Sequence, residues 1–449
     1  MQQTDSNHLR MPEALAVSFS NIMDSNSYSA GSGGDPLIAD RERVLGPAYR
    51  LFYDRPVHLV RGQGSHLFDA DGERYLDAYN NVASVGHCHP HVVEAVSRQM
   101  ATLNTHTRYL HRGIVEYSER LLATMPDEVD RVMYACTGSE ANDLALRVAE
   151  MRSGATGVII TRDAYHGNTA LVTAISPSLG GATIIGPNVR IVDPPDTYRI
   201  PADQLATRFA ADVARAADDL TASGYGVSAL IVDTVFSSDG IYTDTSALGP
   251  AVAELRARGG VFIADEVQPG FARTGDAMWG FDRHGVVPDI VTTGKPMGNG
   301  IPIAAMAARA DVLEPFAVGV AYFNTFGGNP VSIAAASAVL DVIENEGLMA
   351  NAATVGQALR THLAEIDDPR LGDVRGAGLY VGVEIVADPE TKTPDREQAR
   401  RLVNALRERR VLISVCGHDG NVLKIRPPLV FSMSDVDWFV TEFTAALGI

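Results

Sequence analysis

Cysteine is scarce in this sequence: three in 449 residues, at Cys88, Cys136 and Cys416. That argues against a disulfide framework and for a reducing, cytoplasmic compartment. Long hydrophobic runs are missing as well, since no stretch approaches the roughly 18 uninterrupted apolar residues of a membrane span. The first twenty residues lack the basic-then-apolar order of a secretory leader. Positive charge is in deficit: 37 Lys and Arg stand against 55 Asp and Glu, a net charge of −18. No dense basic run offsets this balance, which argues against a nucleic-acid or anionic-membrane surface, because phosphate backbones are met by clustered cations. A small anion would have to be held in a local pocket. What remains is globular material, 46% hydrophobic and 20% charged, long enough for two or three packed units.

The chain reads unevenly along its length. Residues 1–34 are polar, with Ser and Gly concentrated from Ser25 to Gly34, and read as a flexible arm. Val57 to Ala78 alternates short apolar stretches with turn signals such as Asp71-Gly72, which predicts a strand meander. A helical pattern follows Pro90 through Val92, Val93, Val96 and Met100. Between Arg131 and Ala308 short apolar runs recur among helical stretches, as at Gly157–Ile160, Ala229–Val232 and Val261–Ala264. Such runs predict strands buried on both faces, hence a mostly parallel sheet covered by helices. Each run is followed by polar or glycine-containing sequence, and ligands of open α/β sheets collect there, at the carboxyl ends of strands. Beyond Val331 a helix is predicted to Asn345, then mixed sequence with strands at Tyr380–Ile385 and Val422–Ile425, a smaller α+β domain.

Several post-strand residues carry chemistry. Asp265 follows one buried run, and Lys295 sits between glycines after another, Asp289–Val291. Singly, the first is an ordinary turn cap and the second a solvated loop lysine. Together they supply what a pyridoxal cofactor requires, an amine to hold it and an acid to keep its ring nitrogen protonated. Cys136–Asn142 adds Gly138 and Ser139 at the start of a predicted helix, where backbone N–H groups favour a phosphate. Tyr165-His166-Gly167 adds an aromatic face for a flat ring.

The set Gly138-Ser139-Glu140-Ala141, Tyr165-His166-Gly167, Asp265-Glu266-Val267-Gln268, Lys295 and Asn324–Pro330 resembles the class III aminotransferases, pyridoxal 5'-phosphate enzymes of fold type I. The resemblance spans nearly everything from Pro36 onward. It implies a large cofactor-binding domain over 71–330 and a small domain assembled from 35–70 and 331–449. It makes Lys295 the lysine that carries the cofactor and moves the proton, with Asp265 on the pyridine nitrogen. Gly138 and Ser139 would hold the phosphate, Tyr165 stack on the ring, Gln268 contact the ring hydroxyl, and His166 belong to the cofactor-binding set. It also implies a homodimer with shared active sites, Thr325 reaching the neighbouring subunit's cofactor phosphate.

Within that family many aminotransferases use a movable arginine near a Pro-Pro-Leu motif, neutralised in some by a glutamate. Here Lys424 occupies the arginine position, and Ser238 stands where the glutamate would be. Asn80–His91, Leu103–Leu110, Lys295–Gly300 and Tyr322–Pro330 are instead similar to the phospho-lyases of the family. That likeness implies elimination of phosphate from a phosphorylated amine, foremost O-phosphoethanolamine, giving acetaldehyde, ammonia and phosphate. The alternative is an omega-aminotransferase passing an amino group from an amine to pyruvate or 2-oxoglutarate. A phosphate monoester carries about −1.5 to −2 charges and calls for cations and N–H donors. Arg108, Lys424 and Arg426 are the candidates, with Asn80, Asn81 and His111 behind them. If Val422–Arg426 is a strand, Lys424 and Arg426 share a face. A solvated or salt-bridged role is as good a reading of any one of them. Gly86–His91, rich in His with one Cys, suggests zinc, but neighbouring residues cannot converge on one tetrahedral ion, and no metal is expected. A regulatory pyridoxal-binding protein would need an effector or DNA-binding segment, which the N-terminal arm does not offer.

Overall fold

The computed structural model describes residues 35–46, 48–181 and 183–448. The expected flexible arm, 1–34, lies outside the described residues. The first strands, β1 (Leu59–Gln63), β2 (His66–Asp69) and β3 (Arg74–Asp77), form the predicted meander. Seven strands follow: β4 (Arg131–Ala135), β5 (Val158–Thr161), β6 (Val189–Val192), β7 (Ala229–Asp233), β8 (Val261–Asp265), β9 (Ile290–Thr293) and β10 (Ala304–Ala308). They make one sheet in the order β4-β10-β9-β8-β7-β5-β6. From β6 to β9 every pairing is parallel, and only β10 runs against its two neighbours.

The alternation of side chains across a strand decides how this sheet is covered. Val158, Ile160, Ala229, Ile231, Val261 and Ile263 pack on one side with Leu144 and Val148 of the helix Gly138–Ser153. Ile159, Leu230, Val232, Phe262 and Ala264 face the other side, with Phe209 and Val213 of Ala202–Ala222 and Val252 of Leu248–Ala257. Both faces are apolar, so the strands read as unbroken hydrophobic runs. The architecture is the α/β arrangement of fold type I.

The remaining strands are β11 (Leu371–Ala377), β12 (Tyr380–Asp388), β13 (Thr393–Pro394), β14 (Val411–Leu412), β15 (Ser414–Cys416) and β16 (Val422–Ile425). An antiparallel sheet runs β11-β12-β16-β15, with β13 on the edge of β12. Strand β14 leaves it to pair in parallel with β3, so the meander is joined to the C-terminal part of the chain. The boundary expected after residue 70 falls inside the β2–β3 hairpin, which the ladder His66↔Leu76 to Phe68↔Arg74 keeps whole. The two halves meet where the carboxyl ends of β5, β7, β8 and β9 face β16.

Candidate functional site

At that junction lies a cavity of 460 Å³. Strand β8 ends in Asp265, which is buried in its floor. The Asp265 carboxylate accepts from Val267 N (3.1 Å) and Asn142 Nδ2 (2.9 Å), and His166 Nδ1 lies 2.7 Å away. Asn142 is itself fixed by Thr292 Oγ1 of β9 at 2.6 Å. Lys295 opens the short turn after β9 and lines the same cavity. Desolvation, followed by the nearby charge of Arg426, pulls its amine down to about 8.

The opposite wall is the start of the helix Gly138–Ser153. A capping box closes this end: Thr137 Oγ1 accepts from Glu140 N, and Glu140 accepts from the N–H groups of Cys136 and Thr137. The N–H groups of Gly138 and Ser139, residues that line the cavity, are not used by that box. A side chain on Gly138 would meet Val267 at 3.0 Å, so glycine here lets the helix start approach the end of β8. Tyr165 lines the cavity too, its phenol pushed up by burial.

Strand β16 supplies the third wall. Lys424 and Arg426 are 6% and 7% exposed, and both line the cavity, as period-two alternation requires. Lys424 Nζ donates to Ser237 O (2.9 Å), and burial together with Arg426 lowers its amine to about 7. Ser237 in turn donates to Asp233 at the end of β7. Arg426 lies 4.5 Å over the Tyr79 ring and donates to Gln268 Oε1, which also accepts from Tyr380 OH (3.0 Å). The Gln268 oxygen is therefore committed to protein partners, leaving its amide N–H groups for a ligand.

Not every expected residue lies in this constellation. Within one chain, Arg108, His111, Asn80, Asn81 and Thr325 are absent from the cavity lining, although Tyr79 and Val82 beside the asparagines belong to it. Arg108 is exposed and packs over Phe323 at 4.1 Å. His111 stands at the N-cap position of the helix Arg112–Leu122 without a side-chain capping bond, and Asn80 Oδ1 accepts from Val82 N. Thr325 is exposed in the loop before Pro330. Three residues were missed: Asn142, Tyr380 and Ser237. An asparagine buried in the first turns of a helix, where its polar side chain is out of place, was a usable signal. Tyr380 and Ser237 carried none. The histidines of Gly86–His91 diverge, His87 to Asp77, His89 to Glu346 and His91 to Asp341. Among the described residues no group of His, Cys, Asp and Glu is set to hold a metal.

The donors present fit pyridoxal 5'-phosphate. A desolvated amine, a buried carboxylate, an N-terminal anion cradle and an aromatic face border one cavity, and His166 Nε2 is buried there without a partner. Residues 52–447 match the family described as Aminotransferase class-III. An alanine–glyoxylate aminotransferase 2-like protein of Drosophila melanogaster is 40% identical over 91% of this chain and 86% of its own length. An ethanolamine-phosphate phospho-lyase homolog of Caenorhabditis elegans is 34% identical over 92% and 93%. Among solved structures, a phospholyase from Arthrobacter in complex with phosphoethanolamine superimposes with a TM-score of 0.89 at 42% identity, covering 92% of this chain and 99% of that one. No helix among the described residues is long and apolar enough to cross a membrane. With cavity and comparisons in agreement, the chain belongs to the class III aminotransferase family, whose members work with pyridoxal 5'-phosphate.

Proposed function

We propose that the protein is a phospho-lyase that removes phosphate from a phosphorylated amine, O-phosphoethanolamine foremost, and with one water consumed yields acetaldehyde, ammonia and phosphate. The observation that carries this reading is the pair Lys424 of β16 and Arg426 just after it, both buried and lining the cavity with Lys295. Ser238, also in the lining, adds no carboxylate, so Asp233 at the end of β7 is the acid that faces Lys424. A dianion is the ligand that repays burying two cations, because charge-assisted bonds to phosphate oxygens replace the lost hydration.

In this reading the cofactor's phosphate is held by Gly138 and Ser139 and by Thr325 of the partner subunit in a homodimer. Tyr165 stacks on its ring, Asp265 takes its ring nitrogen, Gln268 its ring hydroxyl and Lys295 its aldehyde carbon, with His166 in the same cofactor-binding set. When bound, the cofactor supplies a carbonyl for the substrate amine and an electron sink. Asp265 sets its carboxyl group at the cavity floor, fixed by Asn142 and His166. Lys295 Nζ takes the proton from the carbon that bears the amine, and an amine tuned to about 8 is suited to accept it near neutral pH. Lys424 and Arg426 bind the phosphate oxygens and stabilise the charge that grows on them as the carbon–oxygen bond breaks. The division into a small domain built from both chain ends and a large domain between them belongs to the same reading. So does a cytoplasmic location, consistent with three free cysteines.

The second reading, an aminotransferase, is favoured by the names of relatives such as the Drosophila protein. A paired assay separates the two. Purified protein loaded with cofactor is given phosphoethanolamine alone and followed for phosphate and acetaldehyde. A parallel sample receives amines with pyruvate or 2-oxoglutarate and is followed for alanine or glutamate. Phosphate release without a keto acid is expected; amino-acid formation with no phosphate release overturns the lyase.

A further inference from the structure

Two buried carboxylates beside the cavity take no part in the chemistry above. Asp239 lies in the segment after β7, and Asp163 in the segment after β5, two residues before Tyr165. Each is 4% exposed. Asp239 Oδ1 accepts from Asp163 N (2.9 Å), and Asp239 Oδ2 lies 2.7 Å from Thr161 Oγ1. The small domain closes over them through the β15–β16 hairpin. His418 Nδ1 lies 3.2 Å from Asp163 Oδ1, and Gly417 N donates to Ser238 O at 3.0 Å. The neighbours of this cluster, Tyr165, Ser238 and Cys416, all line the cavity. Three segments from two domains are thus tied together by two acids and one half-exposed histidine.

We propose that Asp239, Asp163 and His418 are positioning residues, a proton-linked staple that holds the cavity wall between Tyr165 and Ser238 against the small domain. The proposal rests on the reading of this cavity as the active site. Chemistry supports one charge state for the closed staple. Asp239 accepts from Thr161 Oγ1 through Oδ2 and from Asp163 N–H through Oδ1, and with Asp239 neutral Asp163 is the single negative charge facing His418. The other charges facing the cluster are few. Arg162 and Asp419 act on Asp163, and Asp233 acts on Asp239. Arg162 is engaged by Asp193 at 2.6 Å, and Arg396 holds the Asp419 carbonyl at the same distance.

Burial, then the charge of Asp163, pushes Asp239 up to about 8; burial raises Asp163 as well. A carboxyl whose folded value is raised above its unfolded one contributes stability that is present at low pH and lost as pH rises through the folded value. The staple is accordingly closed near neutral pH and opens through about pH 8, when two carboxylates repel in a space closed to water.

The test uses Asp239→Asn, whose amide keeps both hydrogen bonds and cannot ionise, and His418→Gln, a change of similar size at a half-exposed position. Melting temperatures of cofactor-loaded and cofactor-free protein are followed from about pH 7 to 9 without substrate. Asp239→Asn is expected to lose at least about 2 °C less over that range than the unmodified protein. For whichever amine is turned over, its KM should rise about three- to tenfold less at alkaline pH, with kcat at pH 7 within about twofold. His418→Gln should raise KM at pH 7 toward the alkaline value and leave kcat in place. Melting curves of Asp239→Asn that parallel the unmodified protein across pH, or a His418→Gln KM that does not move, overturn the staple. Because melting needs no substrate, that result is independent of the choice between lyase and aminotransferase.

Discussion

Lys295 and Lys424 are both amines in one cavity, and both are pulled below the ordinary lysine range by burial and by Arg426. Their proposed tasks differ, and so do the consequences of removing them. Lys295→Ala should abolish the visible absorbance of lysine-bound cofactor and lower turnover by about 10³-fold or more, as loss of a general base does; an absorbance spectrum with a steady-state assay checks both. Lys424→Ala should raise KM for phosphoethanolamine about 10- to 100-fold while cofactor affinity holds, the loss of one charge-assisted contact to phosphate. An unchanged KM removes Lys424 from the substrate site. In the unmodified enzyme the Lys424 cation is progressively lost as pH rises through about 7, so KM for the dianion should climb above that pH before kcat changes. The site residues legible in the sequence, Gly138, Asp265 and Lys295, each stand next to a strand that is visible as an apolar run. Tyr380, Ser237 and the Arg426–Gln268 bond were not legible, because such contacts join segments 158 positions apart and leave no local pattern.

The strands β5, β7 and β8 were readable for a physical reason: strands covered on both faces must be apolar at every position. Strand β10 was harder, since Ala304–Ala308 is made of alanines and one methionine, residues with little strand preference. Its small side chains suit a site where the helix Gly138–Ser153 packs directly on the sheet. The parallel pairing of β14 with β3 was invisible, because register across more than three hundred residues is set by the fold and not by local sequence. The helix Leu348–Ala364 crosses the β11–β12 turn with the same kind of closeness. A Cβ on Gly356 would fall 1.9 Å from the Gly378 carbonyl oxygen, and backbone cannot swing aside as a side chain can. Gly356→Ala should therefore cost about 1–3 kcal/mol despite alanine's better helix propensity. Denaturant unfolding checks this, and a neutral or stabilising result would show that the helix shifts freely on the sheet that holds β11 and β12.

At the scale of the whole molecule, the segments that stayed outside the cavity share one surface. His106 stacks on Tyr109 (5.0 Å) and meets Phe323 edge-on (5.7 Å), which joins Leu103–Leu110 to the loop bearing Thr325. Leu110, Tyr109 and Phe326 are 106%, 66% and 68% exposed there, a concentration of apolar surface that a lone subunit has no use for. The proposed homodimer covers this surface and brings Thr325 of the partner subunit to the cofactor phosphate, so each active site needs residues from both chains. That arrangement has a distinctive consequence for mixtures. Lys295→Ala removes the amine, and Thr325→Glu sets a negative charge against the phosphate, so each variant alone should be inactive. When the two are unfolded together and refolded in equal amounts, half the dimers are mixed under random association. Each mixed dimer then carries one site with both defects and one with neither, since Thr325→Glu acts on the partner's site, the one that already lacks Lys295. Activity should return to about one quarter of the unmodified value. If Thr325 served the cofactor of its own chain, every site in the mixture would keep one defect, and refolding would restore nothing.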